Sequence, residues 1–106
     1  MRRGTTPTLR VTVDADITEM DVYLALRAGR VLIVKETDAL DMSLGEDGKT
    51  TVLCPLTQAD TLKMAAGTNC EVQVRAIEGD GAVAIATTIG SVPVERILQD
   101  GVLGGA

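Results

Sequence analysis

The feature that most limits how this chain can fold is a two-residue rhythm of apolar and polar side chains. Leu9, Val11 and Val13 are separated by Arg10 and Thr12, and Val22, Leu24 and Leu26 by Tyr23 and Ala25. Leu40, Met42 and Leu44 alternate with Asp41 and Ser43, and Cys70, Val72, Val74 and Ala76 with Glu71, Gln73 and Arg75. Successive side chains of a strand point to opposite faces, so this rhythm describes strands with one dry and one wet face. Met20, Tyr23 and Leu24 also have helical spacing, but Ala28-Gly29 cuts that segment short and a strand is the reading. Val31-Leu32-Ile33-Val34, an unbroken apolar run just after Gly29-Arg30, reads as a returning strand covered on both faces and as the central strand.

Turn chemistry separates these segments. Gly45-Glu46-Asp47-Gly48 supplies the positive-φ positions of a tight reversal, so Thr50 to Cys54 is expected to pair back and to end near Pro55. The period changes at Thr57, where Thr57-Gln58-Ala59-Asp60 resembles a capping box, which predicts one short helix ending near Gly67. Glu78-Gly79-Asp80-Gly81 joins the Cys70 segment to a second apolar segment from Ala82 to Ile89. Its small residues Ala82, Ala84 and Ala86 lie on one phase and the larger Val83, Ile85 and Ile89 on the other, which predicts that one face is pressed close to another element. Gly90-Ser91 is expected to bend or bulge the strand before Val92-Pro93-Val94.

The fold class that follows is all-β, an immunoglobulin-like antiparallel β-sandwich of about seven strands with one short helix. The chain of 106 residues forms one domain, with 1–8 and 100–106 as candidate flexible termini. The expected core is Val11, Leu24, Ile33, Val52, Val72, Val74 and Ile85, each on the apolar phase of its segment.

Composition narrows the function. There is no His, Trp or Phe, and Tyr23 is the single aromatic residue. Imidazole-based nucleophile activation and imidazole metal ligation are therefore closed. With 15 acidic against 10 basic residues and a net charge of -5, the chain lacks the basic footprint and stacking platforms of nucleic-acid binders. No apolar run reaches the length of a membrane span, and Arg2-Arg3 is followed by polar residues rather than a signal-peptide core. Synthesis and folding in a cytoplasm are expected.

Cys54 and Cys70 match no metal-binding spacing, and both lie on apolar phases, so they read as buried, reduced core thiols. Asp14, Asp16, Glu19 and Asp21 form the densest acidic cluster but lack the glycine and terminal glutamate of a calcium loop, and they read as a solvated connection. Asp38 with Asp41, and Glu46 with Asp47, read as turn formers. Gly79-Asp80-Gly81 precedes a strand rather than the helix a phosphate loop needs, and Ser43 and Ser91 have no candidate base. No catalytic residue, metal, cofactor, nucleic acid, membrane or small-molecule substrate is expected.

Four stretches point further: Arg3-Gly4-Thr5-Thr6-Pro7-Thr8; Leu56-Thr57-Gln58 with Asp60-Thr61; Val72-Gln73-Val74-Arg75; and Ile97-Leu98 with Asp100-Gly101-Val102. In this order they resemble a family of small prophage-encoded proteins of Gram-positive bacteria, found near tail genes. The strand pattern is also similar to the N-terminal β-sandwich domain of phage baseplate upper proteins. The resemblance implies a virion-associated structural protein of the tail or baseplate, with other virion proteins and further copies of itself as partners. The candidate docking segments are Thr5, Thr6, Pro7 and Thr8 before the first strand, and Ile97, Leu98, Val102 and Leu103 near the end. A free-standing binding module for a host protein or a glycan is the alternative at this stage.

Overall fold

A computed structural model describes residues 1–81 and 83–96. Its strands are β1 (Thr8–Val13), β2 (Asp21–Ala28), β3 (Val31–Glu36), β4 (Asp41–Leu44), β5 (Thr50–Pro55), β6 (Asn69–Ile77), β7 (Ala84–Ala86) and β8 (Gly90–Pro93). A 3₁₀ turn (Thr37–Ala39) precedes β4, and one α-helix, α1 (Gln58–Leu62), lies between β5 and β6. The strands form an all-β sandwich of two antiparallel sheets. One has the order β1-β5-β4; the other runs β3-β2-β6-β7, with β8 also pairing β6.

The alternation read in the sequence is what divides inside from outside. Val22, Leu24, Leu26 and Ala28 of β2 are buried and lie opposite buried Ala76, Val74, Val72 and Cys70 of β6. From the other sheet Val13, Val52 and Cys54 close the core, joined by Ile17, Leu40, Leu56, Met64 and Val94 from the connections. Of the expected core, Leu24, Val52, Val72 and Val74 are buried, whereas Val11, Ile33 and Ile85 pack on it half-buried.

Strand order shows how the turns act. Gly29 has φ +61° and, among the described residues, only glycines have positive φ, so Gly29-Arg30 has the signature of a type II′ turn, with glycine first. That turn matches strand twist and keeps β2 beside β3 in one sheet. Because β6 pairs the other side of β2, β3 is an edge strand rather than the central one, and Leu32 and Val34 are exposed. Lys35 sits on the inward phase, opposite buried Leu24, and an inward charge is a mark of edge strands.

The segment after Gly81 also departs from expectation. β7 and β8 pair the same strand, but the register slips by one residue between Arg75↔Ala86 and Val72↔Gly90. Residues 87–89 thus face only 73 and 74, which is a β-bulge. The bulge comes before Gly90 rather than at Gly90-Ser91, because Thr87 can stand in for the ladder. Its amide donates to the Val74 carbonyl at 2.9 Å, and its hydroxyl accepts from the Val74 amide at 3.1 Å. One face of the segment packs, through half-buried Ile85, while Val83, Ala84, Ala86 and Ile89 are exposed; Ala82 lies outside the described residues.

The capping box at Thr57 forms as the sequence indicates. The Thr57 hydroxyl accepts from the Asp60 amide at 3.1 Å and the Asp60 carboxylate accepts from the Thr57 amide at 2.9 Å. The helix ends at Leu62, short of Gly67, and the remaining residues turn into β6.

Val74 is fully buried on the inner face of β6, opposite buried Leu24, so Val74→Ala is expected to destabilise the fold by roughly 1–3 kcal/mol. Chemical denaturation monitored by circular dichroism reads this as a lowered midpoint with unchanged slope.

Candidate functional site

Two places carry side chains that packing alone does not account for. The first is the outer face of the larger sheet. Leu32 is 62% exposed, Ile89 59%, Val34 49% and Tyr23 38%. Register places Ala25 beside Val34 and Arg27 beside Leu32, while the bulge turns Ile89 outward on the far side of β6. Ala25, Leu32, Gln73 and Ile89, flanked by Arg27 and Glu71, line a shallow depression of about 210 Å³. An apolar strip bordered by charges is the composition of a protein contact surface. Sequence periodicity missed it because Val31–Val34 reads as doubly buried; Lys35 on the inward phase was the available signal that β3 is an edge.

The second place is a polar cluster at the seam of β3, β5 and α1. Lys35 Nζ lies 2.9 Å from Asp60 Oδ2, with both side chains largely withdrawn from solvent. Burial pushes the Asp60 carboxyl up, but the hydrogen bonds from Lys35 and Thr57 and the Lys35 charge outweigh it, leaving the group below its ordinary value. Nearby, burial pushes the Cys54 thiol up, against the pull of the Lys35 ammonium. Burial raises the Cys70 thiol likewise. Both cysteines are free and buried. A thiol with a raised pKa is a poor nucleophile, so this cluster joins elements and does not present a reactive sulfur.

The acidic connection after β1 is held by its own hydrogen bonds. Asp16 Oδ1 accepts from the Thr18 amide at 3.1 Å and from its hydroxyl at 2.7 Å, which lowers the Asp16 pKa. Asp14, Asp16, Glu19 and Asp21 are exposed, and no group of three or more potential metal ligands occurs among the described residues.

The candidate docking residues fall in two sets. Ile97, Leu98, Val102 and Leu103 lie outside the described residues. Thr5, Thr6, Pro7 and Thr8 lie in a segment that is fastened to its own domain. Thr61 donates to the Thr5 carbonyl at 2.9 Å, and the Leu56 amide to the Pro7 carbonyl at 2.9 Å. Upstream, Arg3 Nε donates to the Met64 carbonyl at 2.7 Å, and Arg2 pairs with Glu95 at 3.1 Å. The backbone of this segment is engaged, while the side chains of Thr5, Thr6 and Thr8 remain exposed.

Comparison with known families, curated proteins and solved structures gives no match.

Two measurements follow. Asp60→Asn keeps an acceptor for the Thr57 amide but removes the charge. Because the folded pKa lies below 3.8, the stability from Asp60 is complete above that value and is lost as pH falls through the folded one. The urea midpoint of the native protein should therefore drop more steeply than that of Asp60→Asn as pH falls below about 4. Second, both thiols should resist a thiol reagent in the folded protein and react promptly in denaturant; finding none free after non-reducing denaturation would reveal a disulfide.

Proposed function

We propose that this chain is a non-catalytic structural module of a phage tail or baseplate, acting through protein–protein contacts. The observation that carries the contact reading is the apolar strip of Leu32, Val34, Ile89 and Tyr23 on the outer sheet face. Side chains of that size exposed together, on a rigid sheet and beside an open strand edge, lose water favourably when another surface covers them, and a protein surface fits a flat sheet face. The assignment to a tail or baseplate rests on the four sequence stretches that resemble prophage proteins encoded near tail genes. Of those, Leu56 to Thr61 and Val72 to Arg75 contribute the helix cap and the middle of β6, so part of the resemblance consists of residues that maintain the fold.

The test is mass spectrometry of particles purified after induction of a prophage that carries the gene, with electron microscopy of particles from a gene deletion. The protein is expected in the particles, and the deletion is expected to give aberrant or missing tails. Its absence from particles whose tails are normal without it would overturn the proposal in favour of a binding module for a host protein or glycan.

A further inference from the structure

The outer edge of β3 has no strand partner among the described residues. Its backbone groups are oriented by the turn that precedes it. A two-residue turn makes Ala28 and Val31 a hydrogen-bonded pair, and the alternation of an antiparallel ladder then directs the odd-numbered residues of β3 toward β2. The same parity holds at the strand's far end, where the Val22 amide donates to the Thr37 hydroxyl at 2.8 Å. Leu32 and Val34 therefore direct their N–H and C=O groups to the open side.

We propose that two copies of this chain pair antiparallel along β3, about a twofold axis at Ile33. In that register each Leu32 lies opposite the partner's Val34, both with outward backbone groups, so both pairs can exchange hydrogen bonds. Arg30, in the turn at one end of β3, comes opposite the partner's Glu36 at the other end, and the twofold axis repeats the pair. Neither Arg30 nor Glu36 has an ion-pair partner among the described residues. Shifting the axis to Leu32 puts Arg30 against the partner's Val34, and shifting it to Val34 puts Leu32 against the partner's Glu36. Only the Ile33 axis matches apolar with apolar and positive with negative.

The edge carries one feature that discourages pairing, the inward Lys35, and its charge is compensated within its own copy by Asp60. No proline interrupts Val31–Glu36. Pairing would place the two Leu32 and Val34 rows side by side, so that the apolar strips of both copies form one surface across the axis. A closed twofold contact of this kind is self-complementary and does not propagate into fibres. The dimer names one partner for the protein-contact reading but stands apart from it, since absence from phage particles would leave it intact.

The test is sedimentation velocity on the 106-residue protein and on charge-swapped variants. The unmodified protein is expected to dimerise in a concentration-dependent way. Arg30→Glu and Glu36→Arg, each alone, should weaken the dimer roughly tenfold or more, because like charges then face each other twice. Mixing the two single variants, or combining both changes in one chain, should restore association, which a folding defect could not do. A protein that stays monomeric at high concentration, or a dimer indifferent to both single changes, or weakened by them and not rescued by mixing, would overturn the proposal.

Discussion

The antiparallel pairing of β2 with β6 is the interaction on which the remaining structure depends. It unites segments far apart in the chain along eight residue pairs, from Asp21↔Ile77 to Ala28↔Cys70. On its inner face the two strands present a double row, Val22, Leu24, Leu26 and Ala28 beside Ala76, Val74, Val72 and Cys70. The smaller sheet packs on that row, β3 hangs from β2, and β7 and β8 hang from β6. Burial of this apolar face is the dominant favourable term, and its position at the centre makes it the part whose loss spreads furthest.

A core without Phe or Trp leaves the connections to be held by polar side chains with full sets of partners. Buried Thr50 donates to the Ala15 carbonyl at 2.7 Å and accepts from the Ile17 amide at 3.1 Å, which seats Ile17 in the core. Thr61 does the same for the N-terminal segment through the Thr5 carbonyl, and Lys35 with Asp60 ties the edge strand to the helix. No buried side-chain nitrogen or oxygen among the described residues lacks a partner. Each of these groups would be destabilising alone, and each contributes because its partner is fixed by the fold.

The same economy explains where function is sought. The polar groups of the interior are mutually satisfied and the thiols are buried, so the groups with unsatisfied preferences lie outside: an apolar strip on the larger sheet and the open edge of β3. They adjoin one another because β3 carries both, with Leu32 and Val34 contributing side chains to the strip and backbone groups to the edge.

How much of this was legible in the sequence divides along a physical line. Local periodicity determined the strands, since alternation such as Cys70 to Ala76 fits a half-buried strand and no other element. The capping pattern at Thr57 and the glycines of the turns determined the helix start and the reversals, because those are short-range hydrogen bonds and dihedral preferences. Strand order is a long-range property, and there the sequence was ambiguous. Val31 to Val34 looks equally apolar at the centre of a sheet or at its edge, and only the docking of β6 on the other side of β2 made it an edge. The one-residue slip at 87–89 likewise depends on which strand lies opposite. Exposure of Leu32, Val34 and Ile89, and with it the candidate contact surface, was decided by tertiary packing, because burial belongs to a residue's neighbours in space and not to its neighbours in the chain.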